Sequence, residues 1–301
     1  MNLEGVLVID KPAGPTSHDV VAVVRRALGV DRVGHTGTLD PLATGVLPLV
    51  IGRATRLAAF MSGADKEYEA RIRFGATSAS YDAEQAGATA EGAVLPGSGD
   101  EIRAALPTFL GSYLQQPPPF SAKKVGGTPA YMLARKNAPV EIKAVPVTMR
   151  ELDLVRYADG AADLRIVCSS GFYVRSLAHD LGAAVGCGAY LEGLRRTRAG
   201  AFAIDDAVPL GVVVEEGVRA ASRMVPMARL LPELPAATLS ESGLRRASHG
   251  NTLTPGDFRL SEAASSVAPG SPVRLFDGAG RLIGIGDGLA GGLLHPRVVL
   301  V

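Results

Sequence analysis

Gly34-His-Thr-Gly-Thr-Leu-Asp40-Pro-Leu-Ala-Thr-Gly-Val-Leu47 is the stretch on which the reading of this chain turns. Three glycines within twelve residues let the backbone adopt positive φ or approach a ligand closely. Pro41 pushes Asp40 out of the helical region, so its carboxylate is presented from extended or turn backbone. Leu39, Leu42, Val46 and Leu47 embed the loop in apolar surroundings, where an unpaired charge is costly. Asp40 is therefore expected to be functional or ion-paired. From spacing alone, Asp before Pro in a Gly-rich stretch is usually an ordinary turn.

Working outward, Gly5-Val-Leu-Val-Ile-Asp10 reads as a strand closed by the turn Lys11-Pro-Ala-Gly-Pro15. Thr16 or Ser17 caps a helix with Val20, Val24, Ala27 and Leu28 on one face and Gly29 at its end. A second short helix is expected over Ala54 to Met61. Lys66 to Phe74 alternates, with Tyr68, Ala70, Ile72 and Phe74 on one face and Glu67, Glu69, Arg71 and Arg73 on the other, which predicts a half-buried strand. Residues 75 to 100, rich in Ala, Gly and Ser, read as a mobile connection with little core. A Pro-rich loop spans Gln115 to Gly127. Leu164, Ile166 and Cys168 mark another strand, followed by a helix with Leu177, Ala178, Leu181 and Val185 on one face. Leu230 to Ala237 is the best candidate linker. Short strands (Val273 to Phe276, Leu282 to Ile285, Arg297 to Val301) beyond it predict a small β-rich second domain. Strands interrupted by single helices, without a βαβ rhythm, favour α+β over a doubly wound sheet.

The 301 residues suffice for a substantial core, and no stretch nears the ~18 consecutive apolar residues of a membrane helix. Met1 to Asp10 lacks the basic start of a signal peptide. Cys168 and Cys187 form no CxxC pair, so neither a disulfide framework nor a zinc site is expected, and a reducing cytoplasm is the simplest setting. His18, His179, His249 and His295 share no metal-ligand spacing and read as structural or surface. Gly284-Ile-Gly-Asp-Gly288 lacks the helix and acidic residue of a dinucleotide fingerprint. A net charge of +1 does not announce a nucleic-acid binder. Basic residues do gather at Arg25, Arg26 and Arg32, at Arg53 and Arg56, at Lys123, Lys124, Arg135 and Lys136, and at Arg195, Arg196 and Arg198. Each group alone is more often a solvated face.

The Gly34–Leu47 stretch closely resembles the catalytic motif of the bacterial tRNA pseudouridine-55 synthase family. Four further segments carry the resemblance in the family's order. Asp10-Lys-Pro-Ala-Gly-Pro-Thr-Ser17 is similar to its N-terminal motif, and Lys66-Glu-Tyr-Glu-Ala70 to its tyrosine motif. Pro117-Pro-Pro-Phe-Ser-Ala-Lys-Lys124 with Ala130-Tyr131 is similar to its tRNA-gripping insertion. Gly171-Phe-Tyr-Val-Arg-Ser-Leu177 is similar to its arginine motif. The tail after residue 236 resembles a PUA domain, an RNA-binding module.

The resemblance implies a pseudouridine synthase fold: a mixed, largely antiparallel sheet with flanking helices and an RNA-gripping insertion at about 115–145. The catalytic domain then spans 1–235, followed by a PUA-like domain over 236–301. It implies base flipping of uridine-55 in the tRNA T stem-loop, with no cofactor and no metal, in a chain expected to be monomeric. Asp40 corresponds to the essential aspartate, Tyr68 to the tyrosine that stacks on the flipped uracil, and Arg175 to the arginine that pairs with the aspartate. His35 corresponds to the histidine that helps open the loop. Tyr173, Leu194, Lys11 and Lys124 correspond to substrate-binding positions. Two segments depart from the family pattern: Gly75-Ala-Thr-Ser-Ala-Ser-Tyr-Asp82 keeps only the outline of a Thr-Asp-Thr-rich turn, and Phe172 stands where threonine is common.

The residue types suit the reaction. Isomerisation breaks a glycosidic bond and rejoins uracil through carbon, with no redox change. Its nucleophile must be ionised near neutrality, which a carboxylate already is. Each residue also has a plainer reading. Tyr68 on an apolar strand face is ordinarily core, Arg175 could open a helix and pair with Asp180, and His35 could be a turn histidine. A tRNA-folding chaperone with catalysis secondary is the alternative function, and an isomerase of small metabolites a third.

Overall fold

The computed structural model describes residues 3–89, 93–121, 124–125, 128–129, 142–261 and 266–301. The apolar runs on either side of the Asp40 loop become β1 (Gly5–Lys11) and β2 (Thr44–Ile51), paired antiparallel from Gly5↔Ile51 to Lys11↔Gly45. Both runs are continuous rather than alternating because both faces of these strands are covered. Leu7, Ile9, Leu47, Leu49 and Ile51 enter the main core with the apolar face of helix α1 (Ser17–Leu28), while Val6, Val8, Val46 and Val50 enter a second core. Thr16 caps α1 in a reciprocal box with Asp19, and Gly29 ends it in the left-handed conformation at φ 63°.

Further strands are β3 (Lys66–Phe74), β4 (Gly111–Gln115), β5 (Val145–Ala158), β6 (Ala161–Cys168) and β7 (Ala189–Ala199). The large sheet runs from the short strand Val208–Pro209 through β1, β2, β7, β3, β6 and β5 to β4. Only the pairs β1 with Val208–Pro209 and β2 with β7 along this path are parallel, so the sheet is mixed and largely antiparallel. Helices α2 (Ala58–Ser62), α3 (Gly99–Ala105), α4 (Val174–Val185) and α5 (Leu210–Glu216) flank it. The alternation expected in β3 is present, with Tyr68, Ala70, Ile72 and Phe74 buried. Its charged face is laced with ion pairs, including Arg71 with Asp163 and Glu192.

Two expectations are corrected. Within the segment expected to have little core, Ser78, Ser80 and Asp82 are all buried. The stretch expected to be a linker is packed as well, since Leu230 and Leu231 enter the second core. Most of the insertion expected at 115–145 lies outside the described residues, including Ala130 and Tyr131. Lys124 falls on the short strand Lys124–Val125, its side chain outside the described ones.

The second sheet comprises β8 (Ala236–Leu239), β9 (Phe258–Leu260), β10 (Pro272–Phe276), β11 (Leu282–Gly288) and β12 (Leu294–Val299), in the order β9-β8-β10-β11-β12. Helix α6 (Glu241–Ser248) contributes Ala247 to its core. Leu282, Ile285 and Leu300 join the second core behind β1 and β2. Arg53 and Arg56 donate to the carbonyls of Leu300 and Val299, and the Arg297 guanidinium lies 5.1 Å from the centroid of the Phe60 ring. The Arg53–Arg56 group is thus committed to the seam between the sheets. Among the described residues no helix is long and apolar enough to cross a membrane.

Gly45 shows how tightly the Asp40 loop is joined to the sheet. Its φ is +97°, and a Cβ there would lie 2.2 Å from the Arg196 carbonyl oxygen on β7. Gly45→Ala is expected to destabilise the protein by more than about 2 kcal/mol, read as a lowered urea midpoint with an unchanged m-value.

Candidate active site

The Gly34–Leu47 loop makes few ladder bonds of its own, and its carbonyls must find donors elsewhere. Two buried cations supply them. The Lys11 ammonium, at the end of β1 and fully buried, donates to the carbonyls of Ala43 (2.6 Å), Pro12 (2.9 Å) and Pro41 (3.2 Å). Arg196 of β7, 1% exposed, donates from Nε to Val46 (2.7 Å) and from its two terminal nitrogens to Gly37 (3.0 Å) and Thr38 (3.4 Å). The Ser17 hydroxyl, freed because Thr16 is the cap, both donates to and accepts from the Leu39 backbone. Burial pushes the Lys11 pKa down to about 8, with Asp40 opposing and Arg196 adding to the fall. Lys11 therefore clamps the loop that carries Asp40, and it does not line the cavity.

Asp40 leaves this clamped loop facing a cavity of about 430 Å³. Its carboxylate receives a two-bond fork from Arg175, at 2.9 Å from Nε and 3.1 Å from Nη2. Arg175 opens α4, whose first turn it places at the cavity wall, and its side chain is only 8% exposed. The expected alternative pairing with Asp180 is not made. The second partner is Asp82, 3.4 Å from Nη1, and the same nitrogen donates to the Ser80 carbonyl at 3.3 Å. Asp82 is in turn held by the Ser80 hydroxyl (2.6 Å) and the Glu84 amide (3.1 Å). One guanidinium thus serves two carboxylates. About a third of the Asp40 side chain opens into the cavity while protein surrounds the rest. Burial raises its pKa, Arg175 lowers it, Asp82 raises it again, and Lys11 lowers it.

Tyr68 of β3 pairs across to Ile166 of β6 and Arg196 of β7, and its ring lies in the main core while also lining the cavity. Burial raises its phenol pKa, and the nearby Arg196 works against the rise. Leu194 and Tyr173 line the same cavity. Tyr173 is fixed through its backbone: Gln115, at the end of β4, accepts from its amide at 2.8 Å and donates to its carbonyl at 3.0 Å. His35 also lines the cavity, edge-to-face with His18 at 5.5 Å, its Nδ1 buried without a partner. Burial, His18 and Arg196 all lower its pKa, so the ring is neutral at physiological pH.

The structure therefore brings Asp40, Tyr68, Arg175, His35, Tyr173 and Leu194 to one cavity. Sequence reasoning missed Asp82, Arg196 and Lys66. Lys66 lines the cavity and donates to the carbonyls of Ser62 (2.6 Å) and Ala64 (2.5 Å). The Arg195–Arg198 group, read as a solvated face, is divided by alternation between Arg195 and Arg196 and by a bulge in β7 between Arg196 and Arg198. Arg196 points inward, while Arg195 makes a fork to Asp10 and Arg198 pairs with Glu67. Among the described residues no cluster of three or more His, Cys, Asp or Glu could hold a metal ion.

Arg196→Met would leave three loop carbonyls without their donor. A stability loss of at least about 3 kcal/mol is expected by chemical denaturation. Arg196→Lys should recover only part of it, because an ammonium cannot span the three acceptors as a planar fork does.

Residues 25–174 match the N-terminal domain of the TruB family pseudouridylate synthases, and residues 175–232 match the C-terminal domain of tRNA pseudouridylate synthase B. The tRNA pseudouridine synthase B of Solibacter usitatus is 45% identical over 303 residues, covering 99% of this chain and 100% of that one. Its namesake from Pseudomonas aeruginosa is 40% identical over 305 residues, covering 98% of this chain and 95% of that one. Among solved structures, a chain of an H/ACA ribonucleoprotein bound to a substrate RNA containing 2′-deoxyuridine superposes with a TM-score of 0.76 at 25% identity. The alignment covers 100% of this chain and 86% of that one. A chain of an archaeal box H/ACA ribonucleoprotein complex gives 0.74 at 28% identity, covering 100% and 87%. With domain matches running without a break from residue 25 to 232, and relatives aligned along nearly its whole length, the chain belongs to the TruB family of pseudouridylate synthases.

Proposed function

We propose that this pseudouridine synthase acts on tRNA at uridine-55 of the T loop, with the base extruded into the cavity and Asp40 as nucleophile. The observation that carries the reading is the forked Arg175–Asp40 pair on the wall of a cavity also lined by Tyr68. The cavity volume of about 430 Å³ falls within the ~300–1,000 Å³ range of small-ligand sites, which suits one flipped nucleotide.

A uridine stacked in a folded loop is out of reach, and extrusion costs a few kcal/mol. His35 is suited to enter the vacated stack, because a neutral ring can lie between bases without carrying a charge there. Tyr68 offers a platform whose stacking is worth ~1–3 kcal/mol per base. Arg175 fixes the direction of the Asp40 carboxylate, and Asp82 shares the guanidinium so that Asp40 is not fully neutralised. A carboxylate of raised pKa is a stronger nucleophile than an ordinary one, provided the working pH keeps it ionised. Tyr173 and Leu194 complete the walls around the base. In this reading Lys124 and the exposed Arg25, Arg26 and Arg32 serve the RNA backbone, and residues 236–301 act as a PUA-like RNA-binding module. The chain works as a monomer in the cytoplasm, without a cofactor.

Asp40→Asn is expected to abolish pseudouridine formation in an unmodified tRNA transcript, read by nucleoside analysis, while leaving tRNA affinity within a few-fold. Retained turnover would remove Asp40 from the mechanism. A chaperone built around the same surface would not need Asp40, so tRNA refolding that survives the substitution is the outcome that reading predicts. The pH dependence follows from the Asp40 environment. The reactive form is the anion, and its pKa is raised above 3.8, so turnover is complete above that raised value and is lost as pH falls through it. The acid limb of kcat should therefore lie at higher pH than an ordinary aspartate gives. A limb at or below 3.8 would contradict the assignment.

A further inference from the structure

Arg175 is held from behind by a segment whose own placement depends on an aromatic stack outside the cavity lining. Tyr81 lies between Ser80 and Asp82, the two residues that meet Nη1 of the Arg175 guanidinium. Its φ is 64°, a conformation that a bulky aromatic residue rarely adopts. Both of its backbone groups are engaged: its amide donates to Ser78 at 3.1 Å, and its carbonyl accepts from Leu191 of β7 at 2.9 Å. The ring lies parallel to that of His179, with centroids 4.0 Å apart and planes 8° apart. His179 and Arg175 are four residues apart on α4, so they share one face of the helix, one turn from each other. The imidazole Nδ1 is buried without a hydrogen-bond partner, so the ring makes its contact by stacking.

We propose that the Tyr81–His179 stack is a positioning device for the site, riveting the Ser78–Asp82 segment to α4 so that the Asp82 carboxylate and the Ser80 carbonyl stay on Arg175. The inference rests on the roles given above to Asp40 and Arg175. Neither ring touches the reacting atoms, and both are positioning residues. The stack matters to chemistry because the two contacts it maintains converge on one guanidinium nitrogen. If the segment lifts, both are lost, and the guanidinium gives its whole charge to Asp40. The groups facing the Asp40 carboxylate are Arg175 from α4, Asp82 from this segment and Lys11 from β1, and Asp82 is the one among them that keeps the carboxylate basic. Release of Asp82 therefore leaves a weaker nucleophile that ionises at lower pH.

The test uses the full-length protein and an unmodified tRNA transcript, with kcat measured across pH and tRNA affinity measured separately. Tyr81→Gly removes the ring and lets the backbone keep its positive φ, and His179→Ala removes the other half of the stack. Both are expected to lower kcat on the order of tenfold to a hundredfold, to leave affinity within about threefold, and to move the acid limb to lower pH. Tyr81→Phe and His179→Phe keep two stacked rings and should track the parent protein. Unchanged kcat in the truncated variants, a fall in kcat without movement of the acid limb, or equal impairment in the phenylalanine variants would each overturn the proposal. If Tyr81→Gly does not fold, His179→Ala with its phenylalanine counterpart decides. Asp40→Asn run alongside separates the two levels, because turnover there removes the underlying reading rather than the stack.

Discussion

Everything at the site depends on one buried guanidinium being shared. Arg175 carries a single positive charge and meets two carboxylates, one opening to the cavity and one almost wholly enclosed. Removing either acid would leave a buried ion poorly balanced, and such an imbalance is among the more damaging changes a protein interior can suffer. The sharing also sets how basic Asp40 is, and with it the reactivity proposed for that carboxylate. A carboxylate with a cation all to itself is a stable ion and a poor nucleophile; one that holds its partner in common stays more basic. The placement of Asp82 and the tuning of Asp40 are therefore a single electrostatic arrangement, distributed over α4, the Asp40 loop and the segment after β3.

The loop itself is rigid for a different reason. Its irregular backbone would ordinarily be hydrated, yet it is packed under apolar side chains. Lys11 and Arg196 reach it from opposite strands and supply donors to six of the surrounding carbonyls between them. These bonds from both cations go to backbone carbonyls rather than to a carboxylate. Their task is to make an irregular backbone affordable inside a core, and this places Asp40 without any regular secondary structure beneath it.

Much of this was legible in the sequence, and the boundary is instructive. Asp40 stood out because proline and glycine constrain backbone locally, and the burial of Tyr68 followed from strict alternation in β3. Arg175 and His35 were reached only through resemblance, since nothing local distinguishes an arginine at a helix start from one pairing with Asp180. Asp82 was hidden because its importance comes from a partner 93 positions away along the chain, in a segment whose small polar residues read as loose. Arg196 was hidden among neighbouring arginines: alternation separates it from Arg195, but it would also have grouped it with Arg198, which a bulge in β7 turns away. The lesson is physical: short-range signals report backbone conformation and face, whereas charge balance in an interior is settled by the fold.

The double-sided burial of β1 and β2 has a bearing on how the molecule can be divided. The C-terminal sheet contributes Leu282, Ile285 and Leu300 to the layer behind Val6, Val8, Val46 and Val50. A chain shortened before residue 236 would therefore not be a tidy enzyme lacking an accessory module. It would bare a greasy patch on the back of the strand that begins only four positions after Asp40. Such a fragment should clump and its Asp40 loop slacken together, so the tail serves as a retaining wall for the half of the chain that carries Asp40.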